Sequence, residues 1–158
     1  MSAQVVSIHR NCPTVAVAVD GQNVGLLKNG EAILRFASGL GNVSIQWAYY
    51  NYRNLKPRHE ARLQEQEWQC VDVAVCTKNE LDHRMMTAVR KLCSCQPPNI
   101  LVIVTNDKDF APLIEYACSQ GIKVFVIGRR NGMSKDLKRL LPNGIVYIED
   151  LKQLPLAS

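Results

Sequence analysis

The chain has no apolar run long enough to span a bilayer, and residues 1–11 lack the unbroken apolar stretch of a secretory leader. The expectation is a soluble, cytoplasmic protein with no membrane partner. Histidine is scarce, at three in 158 residues, and no His/Cys pair at zinc-ligand spacing answers the one close cysteine pair, Cys93 and Cys95. That argues against zinc and against softer metals generally. The six cysteines, Cys12, Cys70, Cys76, Cys93, Cys95 and Cys118, lie within or beside apolar patterns and not in a loop framework, so they read as reduced, buried thiols. No glycine-rich phosphate loop occurs, and no Asp-x-Asp nucleophile motif follows the first apolar run, which counts against a phosphatase or nucleotide-binding enzyme. Internal repeats and low-complexity segments are missing too.

What is there fits one domain. A hydrophobic content of 47% over 158 residues suffices for a single sizeable core. The net charge of +5, from 19 basic and 14 acidic residues, favours polyanionic partners without identifying one. Short β-branched runs alternate with segments of helical period, the pattern of a parallel sheet with helices on both faces. Strands are predicted at 14–19, 43–52, 70–76, 100–104, 122–127 and 145–148. Helices are predicted within 31–38 and over 58–68, 80–95, 109–119 and 133–141. The fold class is therefore α/β, a single domain with a doubly wound sheet of order about 3-2-1-4-5. Residues 1–13 read as an N-terminal extension, 14–151 as the domain and 152–158 as a tail.

Two acidic turns carry the chemistry. Asp20-Gly-Gln-Asn23 closes the first apolar run, and Thr105-Asn-Asp107-Lys-Asp109-Phe110 closes the run at 100–104. In the expected sheet those two strands flank the point where the winding reverses, and ligands sit outside their carboxyl ends. A right-handed crossover brings the start of the helix at 80–95 to the same edge and delivers Asp82. Four carboxylates packed together repel, so that one or more takes up a proton unless a cation neutralises them. A hard, oxygen-ligated Mg²⁺ or Mn²⁺ resolves the conflict and suits metal-assisted attack of water on a phosphodiester.

Each residue also has a purely structural explanation. Asp82 fits the third helical position behind an Asn79 N-cap, Asp107 fits an N-cap with Asp109 in the first turn, and Asn23 caps a helix as readily as it orients Asp20 or a water. Which of Glu80 and Asp82 points inward is open, with Asp82 favoured. Thr105 either bonds the site or simply ends its strand. His83 needs no role as a proton carrier, and Asp72, mid-strand, fits an exposed edge strand. Capping does not explain why a third acid, Asp20, should end the neighbouring strand.

Two basic groups follow strands at that edge. Arg129, Arg130, Lys135, Lys138 and Arg139 form one, and Arg53, Lys56, Arg58 and Arg62 the other. Either can neutralise phosphates without reading sequence, or merely form a solvated face. Among the aromatics at 47–52, Tyr52 is closest to the loop and is the candidate for stacking on an unpaired base.

The run Val15-Ala-Val-Ala-Val-Asp20-Gly-Gln-Asn23, the Leu81-Asp82 helix start and Thr105-Asn-Asp107-Lys-Asp109-Phe110-Ala-Pro112-Leu113 resemble the NYN domain, a branch of the PIN-like nuclease fold. Gly121 to Gly128 and Ser134 to Leu137 are similar to its closing strand and helix. The resemblance covers about 14–151. It implies a magnesium- or manganese-dependent ribonuclease acting on RNA, with Asp20, Asp82, Asp107 and Asp109 as metal ligands. One departure is that no acid occurs between Asp82 and Asp107, where some relatives carry another. This leaves open one metal or two, and a binding or regulatory module with weak or no catalysis as the alternative to an endoribonuclease. Single-stranded RNA is the expected partner, and homo-oligomerisation is left open.

Overall fold

The computed structural model describes residues 12–22, 24–73 and 78–152. Strand β1 (Thr14–Asp20) alternates Val and Ala for five residues that are all buried, so both of its faces are covered. It lies centrally in a six-stranded, all-parallel sheet of order β3-β2-β1-β4-β5-β6, with β2 at Asn42–Tyr50, β3 at Gln69–Asp72, β4 at Ile100–Val104, β5 at Lys123–Gly128 and β6 at Ile145–Tyr147. Val17 sits opposite Val102 of β4, and Asp20 opposite Tyr49 of β2, which fixes how far each strand reaches toward the carboxyl edge.

Alternation along the strands sorts the side chains into two layers. Ala16, Ala18, Leu101, Ile103, Val124 and Val126 face helices α3 (Lys78–Cys95), α4 (Ala111–Ser119) and α5 (Lys135–Leu140), which contribute Leu81, Met85, Val89, Leu113 and Leu137. Val15, Val17, Val19, Val102 and Val104 face α1 (Leu26–Leu40), α2 (Pro57–Glu65) and α6 (Ile148–Lys152), which contribute Ile33, Ala37, Leu63 and Leu151. The stripe Leu81, Met85, Val89 and Leu92 at helical spacing on α3 is buried as its period requires.

Several boundaries differ from expectation. α1 begins at Leu26, five residues before the predicted start, and takes Asn29 and Gly30 into the helix, both buried. Gly30 packs there against Trp68, where a Cβ would sit 3.3 Å from the indole nitrogen. α2 stops at Glu65, where Gln66 and Glu67 turn the chain, Glu67 with a φ of 68°. β3 ends at Asp72, and the rest of the predicted strand, including Cys76, reaches outside the described residues. β6 gives way at Ile148 to α6, a short helix not anticipated. The cysteines also divide: Cys93 is buried and Cys70 half-buried, but Cys12, Cys95 and Cys118 are exposed, the last two on the outward faces of α3 and α4.

Candidate metal centre

Because every strand is parallel, all strand ends meet along one edge, and the winding reverses between β1 and β4. Asp20 is the last residue of β1, and its side chain is 1% exposed. Its Oδ1 accepts a hydrogen bond from the Gln22 amide at 3.2 Å. Gly21 makes the turn possible at close quarters: its amide donates to the Tyr49 carbonyl, and a Cβ there would lie 2.8 Å from that same oxygen. Only hydrogen fits between the two backbones.

β4 delivers the other turn. Thr105, fully buried, places its hydroxyl between the two acidic segments, with Oγ1 a long 3.5 Å from Asp20 Oδ2 and accepting the Asp107 amide at 3.2 Å. Asp107 caps a single 3₁₀ turn, Lys108–Phe110, through its Oδ1, which accepts the Asp109 amide at 2.9 Å. The capping role foreseen for Asp107 is therefore real. A carboxylate has two oxygens, and capping uses one.

α3 supplies the third segment. The helix begins at Lys78, so Asn79 is already helical and does not cap it, and Asp82 stands a full turn inside. Asp82 is 4% exposed whereas Glu80 points to solvent, which decides between the two acids. Carboxylate oxygens of Asp82, Asp107 and Asp109 all lie within 4.8 Å of one another. Burial, chiefly, and then the charges of Asp20 and Asp107, a hydrogen bond with Asp107 and the charge of Asp109 push the Asp82 carboxyl up to about 7. Asp20 stands outside the tightest group of three, yet its charge is the largest electrostatic influence on Asp82. The group is polar, oxygen-only and electrostatically frustrated, which is the donor set that Mg²⁺ or Mn²⁺ fits. Asn23 lies outside the described residues.

The candidate RNA-contacting residues fare unevenly. Arg53 sits in the 3₁₀ turn that follows β2, on a loose 3.8 Å pair with Asp72, an exposed residue on edge strand β3 whose Oδ1 also accepts the Tyr52 amide. Lys56 and Arg58 flank Pro57 at the start of α2 and are exposed. Arg129 is exposed after β5, and Lys135 opens α5 behind its Ser134 cap. Arg130, by contrast, is committed locally. Its guanidinium bonds Asp150 at 2.5 Å and lies over the Tyr147 ring, and its amide donates to the Glu149 carboxylate. Tyr52 is not a surface platform. It is 6% exposed, its hydroxyl donates to the Ala48 carbonyl at 2.8 Å, and its ring meets Tyr50 edge-on. The turn at Tyr52–Asn54 tucks the ring back under α1, where it lines an apolar pocket of about 190 Å³ beside Gly21 and Leu26.

Two residues matter more than the sequence suggested. Thr105 links the acidic turns, as described. Asn106 fastens the loop after β5: its Oδ1 accepts the Arg129 amide at 2.8 Å, and its Nδ2 donates to the Arg129 and Asn131 carbonyls at 3.3 and 3.5 Å. Gly128 is the receiving surface, since a Cβ there would collide with the Asn106 amide and the Met133 methyl and lie 2.9 Å from the Thr105 carbonyl. An Asn between an acid-rich turn and a distant glycine gives no local signal of such a partnership.

Acids gathered from three segments at the switch point of a parallel α/β sheet are an arrangement that PIN-like nuclease folds share with other doubly wound folds. A model of the NYN domain matches residues 14–148, and the chain belongs to that family. NYN domains are generally nucleases, and they generally act on RNA. Among solved structures, the crystal structure of a protein of unknown function from Vibrio parahaemolyticus is similar, with a TM-score of 0.74 at 18% identity over 89% of this chain and 95% of that one. That likeness concerns the fold alone. No curated protein matches the chain. No helix among the described residues is long and apolar enough to cross a membrane.

Proposed function

We propose that this NYN domain is a metal-dependent endoribonuclease, hydrolysing phosphodiester bonds of single-stranded RNA with Mg²⁺ or Mn²⁺ held by Asp82, Asp107 and Asp109 and with Asp20 beside them. The observation that carries the reading is the gathering of three carboxylates within 4.8 Å, in surroundings that keep one of them protonated up to about pH 7. When bound, a divalent ion supplies charge neutralisation, a water of lowered pKa and polarisation of the phosphoryl oxygen. The protein's part is positional. Asp82 would have to be deprotonated to hold an ion, Asp107 and Asp109 are held in register by their own 3₁₀ turn, and Thr105 keeps that turn beside Asp20. Asn23 orients Asp20 or the attacking water through its amide. Arg53, Lys56, Arg58, Arg129 and Lys135 raise the positive potential along the same edge and draw the polyanion toward it.

The test is cleavage of an unstructured RNA with Mn²⁺ or Mg²⁺ present. Asp20→Asn and Asp107→Asn should abolish cleavage while thermal melts stay cooperative; undiminished activity in both variants would end the proposal. A second reading, an RNA-binding module without turnover, draws support from the missing acid between Asp82 and Asp107. Salt-dependent RNA binding with no cleavage in any divalent metal would select it.

A further inference from the structure

Helices α3 and α4 leave a groove of about 400 Å³ between them that begins where the acidic group ends. His83, next to Asp82, and Pro112, three residues after Asp109, form its near end, and Arg90, Lys91 and Ser94 its far end. The floor is apolar, from Met86, Pro112 and Leu113. Arg90 and Lys91 are exposed, and among the described residues no carboxylate lies in ion-pair range of either. Arg90 is nevertheless ordered. Its guanidinium lies 4.6 Å from the centre of the Tyr116 ring, and the Tyr116 hydroxyl is in turn 2.5 Å from Ser94 Oγ, which also donates to the Arg90 carbonyl. A planar guanidinium stacked on a fixed ring keeps its donor edge free for a phosphate.

We infer that this groove is the track for the single strand entering or leaving the cleavage centre, with Arg90 and Lys91 on its phosphates and its bases on the apolar floor. The inference rests on the ribonuclease reading and deepens it. From His83 to Arg90 the helix rises by about 10 Å, longer than the ~3.4 Å per nucleotide of a stacked strand, so more than one phosphate is in reach. The apolar floor favours a single strand, whose bases are available to lie on it, over a duplex, whose bases are not. In the sequence these cations lie on a helix whose apolar stripe already accounts for it, whereas the groups at 53–62 and 129–139 stand out by following strands.

The experiment measures binding of a ten-nucleotide oligouridine RNA in EDTA, where turnover plays no part. Arg90→Gln/Lys91→Gln should weaken binding about 10–25-fold at 0.1 M salt and reduce the slope of log K against log salt by about 1.4, two contacts at roughly 0.7 each. A control that removes two cations elsewhere, Arg35→Gln/Lys123→Gln, should bind like the wild type. Equal weakening in the control would overturn the groove in favour of bulk charge. So would an unchanged affinity and slope in Arg90→Gln/Lys91→Gln, or an equal loss on a ten-base-pair RNA duplex. The two proposals fail separately. Wild-type protein that binds through the groove but cleaves nothing refutes the ribonuclease and leaves the groove a single-strand binding site with no cleavage centre to serve, whereas cleavage with no effect of the groove variant refutes the groove and keeps the ribonuclease.

Discussion

Replacing Asp82 by Asn should make the metal-free protein more stable while destroying its affinity for a divalent ion. The magnitude follows from the site. The Asp82 carboxyl titrates near 3.8 when unperturbed and at about 7 in the fold, held up by burial first and by Asp20, Asp107 and Asp109 next. At about 1.4 kcal/mol per pH unit, ionising it in the folded state costs about 4 kcal/mol at most. The sign is set by proton counts. Below pH 3.8 both states are protonated; between there and 7 the folded protein keeps a proton that the unfolded chain has lost, so rising pH costs stability; above 7 the penalty is complete. An amide of the same shape carries no charge to desolvate but retains its own polar burial, which leaves a net gain of about 1–3 kcal/mol at pH 8. Urea unfolding in EDTA reads this as a midpoint higher by roughly 1 M, given slopes of about 1–3 kcal/mol/M. At pH 5 the gain should shrink toward zero, and Mn²⁺ should stabilise the wild type but not the variant. A variant less stable than wild type at pH 8, or one with the same gain at both pH values, would refute the account of the acidic group.

Three other outcomes follow from the same geometry. Mn²⁺ binding at pH 6 should release close to one proton, falling toward none by pH 8.5, and calorimetry in buffers of differing ionisation enthalpy checks it; release that does not vary with pH counts against Asp82 as the coupled group. Thr105→Val keeps the buried shape but removes the hydroxyl that accepts the Asp107 amide, and should weaken Mn²⁺ affinity about 10–100-fold, as outer-sphere losses do, with about 1–3 kcal/mol of stability lost in urea. Gly128→Ala drives a methyl into the Asn106 amide and should cost about 1–3 kcal/mol in thermal unfolding, whereas Gly39→Ala, at an open helical position, should stabilise by about 0.5–1 kcal/mol.

The sheet order and the convergence of Asp20, Asp82, Asp107 and Asp109 were legible because both depend on signals local to each segment: β-branched runs, their alternation with helical stripes, and acids placed at strand ends. What escaped depends on contacts between segments. The early start of α1 sets Gly30 against Trp68, 38 residues away, a contact that no pattern within the segment announces. Tyr52 reads in the sequence as a loop aromatic because alternation along β2 does not foretell the 3₁₀ turn that folds it inward. Arg130 reads as one more surface cation because the acids that hold it lie in α6, an element absent from the expected set. The choice between Glu80 and Asp82 needed the helix to begin at Lys78, a boundary that Asn79 disguises by its own capping preference.

The grip of Asn106 on the loop after β5 ties the fate of two segments that are otherwise strangers in the chain. The peptide bearing Asp107 and the peptide bearing Arg129 are fastened together, because three hydrogen bonds of a single side-chain amide join them and Gly128 leaves no slack. Transplanting the β5–α5 segment, which includes residue 128, from a relative to change substrate preference would therefore succeed only if residue 106 travelled with it. A graft that ignored this pairing would disturb the acids from behind while leaving every one of them in place.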